Sequence, residues 1–155
     1  MRLPYADRGG AAQEDGAAIP LMDPDVLAEL SDKLGSPVLA ARFASDYLDL
    51  WDRRLERLLA GFARGDIPAA MDAVISIRVS SAMVGGHRLA WLAGQVEETV
   101  SRGDLAAGRK LLASVSDCGN ETVDELRLIH LDLASRALAE GLLGAGKLAL
   151  SAADL

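Results

Sequence analysis

Cysteine is nearly missing from this chain. Cys118 stands alone, so neither a disulfide framework nor a thiolate zinc cluster can be built, and a reducing compartment is the simpler setting. Histidine occurs twice, at His87 and His130, far apart and with no cysteine or carboxylate cluster at ligand spacing, so no metal site is expected. No cofactor is expected either. Basic residues are outnumbered 16 to 23, which leaves a formal charge of -7. That balance argues against a sequence-independent nucleic-acid binder, which needs a basic face, and against an anionic membrane surface as partner. Uninterrupted apolar runs never approach the roughly 18 residues of a membrane span. The stretch from Met1 to Ile19 has no apolar segment of the secretory kind and contains Glu14 and Asp15. Together these absences point to a cytoplasmic protein. Its Ala-, Leu- and Arg-rich composition points to a bacterial source.

Aromatic residues make up only 4% of the chain while half of it is hydrophobic, so the core must be built from Leu, Ala and Val. Such a mixture favours helices over strands. At 155 residues the chain fits one domain, able to bury about 68–70% of its unfolded surface. Residues 1–20, with Gly9-Gly10 and Gly16-Ala17-Ala18, show no apolar period and read as a tail. A helical bundle is expected over 21–138, followed by a Gly- and Ala-rich extension over 139–155.

Within the bundle the punctuation is plain. Asp23 and Pro24 start a first helix carrying Val26, Leu27, Leu30 and Leu34, and Gly35 ends it. Ser36 and Pro37 start a long second helix with Leu39, Phe43, Tyr47, Leu50, Trp51, Leu55, Leu58, Leu59 and Phe62 at spacings of three and four. Asp66 caps a third, whose core face is Ala70, Ala73, Val74, Ile77, Ser81 and Val84. The alternation of Ile75-Ser76-Ile77-Arg78-Val79-Ser80 would also suit a strand, but no second strand exists to pair with it. Gly85-Gly86 opens a fourth helix with Leu89, Leu92, Val96 and Val100, and with Trp91 available to the core. After Asp104 a fifth repeats Leu105, Gly108, Leu112, Val115, Gly119, Thr122, Leu126, Ile129 and Leu133. Beyond Leu138 the pattern allows either a frayed end or a short extra helix through Lys147-Leu150. The expected architecture is all-α, an up-and-down antiparallel four-helix bundle with a short N-terminal helix packed on one end.

From about Met22 to Leu126 the chain resembles the histidine-containing phosphotransfer (HPt) domain, the four-helix module that relays phosphoryl groups in two-component signalling. The family signature runs histidine, any residue, Leu, Lys, Gly, Ser, Ser, Ala, any residue, Leu, Gly. This chain reads Ile75-Ser76-Ile77-Arg78-Val79-Ser80-Ser81-Ala82-Met83-Val84-Gly85. Leu27, Leu30, Phe43, Leu55 and Gly65-Asp66 before the signature agree with the family, as do Leu89, Leu92, Glu97 and Arg102-Gly103-Asp104 after it.

The departures bear on function. Ile75 stands where the resemblance implies the phosphorylated histidine, and an aliphatic side chain has no nucleophilic atom. Arg78 keeps the cation of the family lysine, whereas Val79 replaces the small glycine that would let a partner approach. On a helix Ile75, Val79 and Met83 form a stripe turned away from the core face, flanked by Asp72, Ser76 and Arg78. The expectation is a non-catalytic HPt-like protein that docks a partner on this stripe. By the resemblance that partner is a receiver domain or a histidine kinase of a two-component system. Three other readings stay open. The N-terminal tail or residues 134–150 could cover the stripe, the stripe could close a structural homodimer, or His87 could carry phosphotransfer.

Overall fold

In the computed structural model of the protein, residues 18–153 are described, with side chains as far as Gly141. Five helices are described: α1 (Pro24–Leu34), α2 (Pro37–Ala63), α3 (Ile67–Met83), α4 (His87–Ser101) and α5 (Leu105–Ala153). The stretch from Ile75 to Ser80 lies inside α3, and no strand occurs among the described residues. The expected tail over 1–20 falls for the most part outside the described residues. No helix among them is long and apolar enough to cross a membrane.

Three of the helix starts are closed by aspartate. Asp23 Oδ1 accepts from the Asp25 N–H at 3.0 Å, Asp66 Oδ1 from Ala69 at 3.1 Å, and Asp104 Oδ1 from Ala107 at 3.0 Å. Ser36 occupies the equivalent position before α2, yet its hydroxyl makes no capping bond. There the fixed φ of Pro37 sets the start.

Helices α2 to α5 form an antiparallel ring in which α2 packs on α3, α3 on α4, α4 on α5 and α5 on α2. The short α1 packs against α2. It also lies beside α5, where Leu27 and Ala28 share a groove with Leu128, Ile129 and Leu133. Residues 19–23 are tied to the end of the bundle that carries the α3–α4 turn. Arg88 Nε donates to the Ile19 carbonyl at 2.9 Å and the Asp23 N–H donates to the Gly85 carbonyl at 2.8 Å. Gly85 has φ 87, and a Cβ there would stand 2.4 Å from the Asp23 carbonyl oxygen, so a side chain is excluded twice over.

The core follows the expected periods, with a correction on α2. On α3 and α5 every residue of the predicted inward stripes is buried or half-buried. On α2, however, Leu39, Leu50 and Leu59 are exposed, and Ala40, Ala41 and Ala44 take interior places beside Tyr47, Trp51, Leu58 and Phe62. Nine apolar positions cover more than one face, and these three leucines stand about a quarter turn off the buried stripe. The helix α5 runs through Leu138 to Ala153 as a single element of 49 residues, with neither a break nor a separate short helix. The Ala and Leu residues between Gly141, Gly144 and Gly146 are strong helix formers, and each glycine costs only about 1 kcal/mol.

Candidate functional site

Helix α3 has two apolar faces. Ala70, Val74, Ile77, Ser81 and Val84 are wholly buried, and Ala73 nearly so. The Ser81 hydroxyl is satisfied inside the bundle by the Tyr47 hydroxyl at 2.8 Å, and burial pushes the Tyr47 phenol up to about 12. On the other side Ile75 is 36% exposed, Val79 43% and Met83 50%. The spacing of four residues sets them one above another along a single row.

This row forms one wall of a shallow groove of about 440 Å³ between α3 and α2. Phe43 and Arg54 supply the α2 wall, and Asp72, Ser76 and Ser80 supply polar atoms along α3. Ser80 donates back to the Ser76 carbonyl at 2.7 Å. At the far end Asp72 meets Arg57 at 3.2 Å, both well exposed. Arg54 lies over the Tyr47 ring, 5.7 Å from its centroid, and its Nη1 is buried with no hydrogen-bond partner among the described residues. An unmet guanidinium donor in a groove wall is costly unless something accepts from it.

Five of the six residues expected to form the site therefore come together: Asp72, Ile75, Ser76, Val79 and Met83 line one groove. Arg78 does not join them. It points over the opposite shoulder of α3 and forms an ion pair with Glu97 of α4. A second groove lies there, lined by Ile19, Pro20, Arg78, His87, Trp91 and Gln95 among others. Residues 19–20 thus sit on the Arg78 side, away from the Ile75 row, and the rest of the expected tail lies outside the described residues. His87 is the first residue of α4, and its Nε2 lies 3.6 Å from Asp23 Oδ2. His130 is half-buried on α5. Among the described residues no group of three or more His, Cys, Asp or Glu side chains is placed to hold a metal ion.

Sequence reasoning missed Arg54, although a signal was present. It follows Tyr47 by seven residues and Trp51 by three, which sets a cation at the edge of the buried stripe of α2. Trp91 was expected to be available to the core; it is only half-buried and lines the second groove.

Comparison with solved structures identifies this arrangement of helices. The crystal structure of histidine-containing phosphotransfer protein B (HptB) from Pseudomonas aeruginosa PAO1 superposes with a TM-score of 0.67. Its chain is 21% identical, and the match covers 73% of this chain and 96% of that one. The two share a fold. Neither a family model nor a curated protein sequence matches the chain.

Proposed function

We propose that the protein is a non-catalytic, HPt-like signalling adaptor that docks a receiver domain on the α2–α3 groove without exchanging phosphate. The working unit is the bundle over 21–138, with 1–20 and 139–155 as appendages. The observation that carries this reading is the open row of Ile75, Val79 and Met83, on a bundle with the fold of a phosphotransfer protein. An outward apolar row rimmed by Asp72, Ser76, Ser80 and Arg54 has the anatomy of an interface core with a polar rim.

The chemistry of the row supports contact and not transfer. Ile75 stands where the resemblance sets the histidine, and no atom of its side chain can accept a phosphoryl group. Arg54 adds a positive charge to the groove wall, which suits a partner bearing carboxylates. Arg78 contributes less, being already engaged by Glu97.

The test is direct binding of a panel of receiver domains and of their histidine kinases. A receiver domain should bind, and Ile75→Asp should weaken binding at least about tenfold, the equivalent of 1.4 kcal/mol. Because Ile75 is partly exposed, the variant should keep its helicity. Binding that survives Ile75→Asp overturns the reading. A symmetric homodimer closed by the same row is the competing reading, and self-association abolished by Ile75→Asp would favour it.

A further inference from the structure

Leu133 is the last core residue of α5 among the described residues, yet the helix runs on to Ala153. This overhang, about 20 residues or roughly 30 Å at 1.5 Å per residue, shows only exposed or half-buried side chains as far as they are described, to Gly141. A lone helix of such length, with three glycines, is marginal in water and needs an apolar face to pack against. The face is present. Leu128 is 63% exposed, Leu131 61% and Leu138 67%, the most exposed large apolar side chains described. Their offsets of three and seven set them on one stripe, with Ser135 filling the gap between Leu131 and Leu138. The sequence carries the same three-and-four spacing onward through Leu142, Ala145, Ala149 and Ala152.

We infer that this stripe is the seam of a parallel two-stranded coiled coil, and that its occupant is the same stripe of a second copy of the chain. The bundle leaves room for it. Leu126, Ile129 and Leu133 face the bundle from the opposite side of α5, and of the stripe only Leu128 reaches the groove shared with α1, so two copies can align their stripes with their bundles pointing outward.

Charge favours the parallel arrangement. Arg127 and Asp132 flank the stripe on its two sides, five residues apart, the offset at which flanking residues of parallel helices meet across a seam. Two-fold symmetry then makes two Arg127–Asp132 pairs. In the single chain these side chains pair locally, Arg127 with Asp124 at 3.6 Å and Asp132 with Arg136 at 2.7 Å. All four are exposed, so exchanging partners costs little. Nearer the bundle the outer face of α5 carries Asp117, Glu121, Asp124 and Glu125. Two such faces repel, which confines the contact to the stripe from Leu128 onward.

The test is sedimentation equilibrium of the full chain over a wide concentration range. The chain should be dimeric, and Leu131→Glu with Leu138→Glu should raise the dissociation constant at least about tenfold. Both positions are exposed, so the bundle should keep its folding transition, and the milder Leu131→Ala with Leu138→Ala should give a smaller shift in the same direction. Ser135→Cys, on the seam, should oxidise to a disulfide-linked dimer, since parallel register brings identical positions together. A chain that stays monomeric, a dimer indifferent to both leucine pairs, a dimer lost instead in Ile75→Asp, or capture of the overhang by anionic vesicles would each overturn the inference. Absence of the Ser135→Cys cross-link would overturn the parallel register. Receiver binding, which involves another surface, should be unchanged by the leucine variants, so the two readings fail separately.

Discussion

Gly119 of α5 lies directly against the indole of Trp51 in α2. A Cβ on Gly119 would fall 1.8 Å from Trp51 Cζ2, inside the ring's own van der Waals envelope. Trp51 also donates from Nε1 to Asn120 Oδ1 at 3.3 Å, which fixes the plane of the ring above the glycine. Gly119→Ala should therefore force the two helices apart. The expected cost is about 1–3 kcal/mol, the usual penalty for overpacking a filled core. For a chain of this size each kcal/mol lowers Tm by roughly 2–4 °C. Thermal unfolding followed by circular dichroism checks it. An unchanged Tm would mean that the ring tips aside freely.

Tyr47 makes stability fall in alkaline solution. Its phenol is buried against Ser81 and its pKa is pushed up to about 12 by the loss of solvent, from an ordinary value of 10.0. Below pH 10 the phenol is neutral in folded and unfolded chains alike, and the full stability is present. Above pH 10 the unfolded chain ionises first, so stability declines as pH rises through 12. A shift of this size corresponds to order 3 kcal/mol over the window. Denaturant midpoints measured from pH 9 to 12 should drop, and Tyr47→Phe should flatten that drop while costing about 1 kcal/mol at neutral pH through the lost Ser81 bond.

Much of this molecule was readable from residue spacing. The inward stripes of α3 and α5 are fixed by period alone, and so is the outward row of Ile75, Val79 and Met83, because four-residue steps on a helix permit no other placement. The aspartate caps announced themselves for the same local reason. What spacing could not give was the choice among surplus apolar positions. Leu39, Leu50 and Leu59 look like core in a sequence, and only the neighbours of α2 decide that Ala40 and Ala44 go inside. The course of Arg78 was also invisible. It belongs to the same helical turns as the row, but its partner Glu97 is 19 residues away on α4, and that long-range attraction draws it over the other shoulder.

Arg54 should respond oppositely in stability and in binding. Its buried Nη1 has no acceptor among the described residues, so replacing the guanidinium by an apolar group of similar length removes an unmet donor. Arg54→Met should leave the unfolding free energy unchanged or raise it by about 1 kcal/mol, even after loss of the contact with the Tyr47 ring. Receiver binding should weaken in the same variant. Chemical denaturation and a binding titration on one preparation decide the matter. A variant that is destabilised by several kcal/mol would show that Arg54 serves the fold and not the groove.

The last prediction concerns the two substitutions at the heart of the row. Ile75 and Val79 are one helical turn apart and both exposed, so the branched side chain of Val79 stands beside whatever occupies position 75. Ile75→His alone supplies a nucleophile but leaves that neighbour to hold a phosphorylated partner at a distance. Ile75→His combined with Val79→Gly clears the approach, at about 1 kcal/mol of helix stability. In a relay assay with a phosphorylated receiver domain, the double variant should acquire acid-labile phosphate on residue 75, and the single variant little or none. Transfer to Ile75→His alone would show that Val79 poses no obstacle. Failure of the double variant, in a chain that still binds the receiver, would mean that the groove holds its partner in a geometry unsuited to transfer, whatever residue stands at position 75.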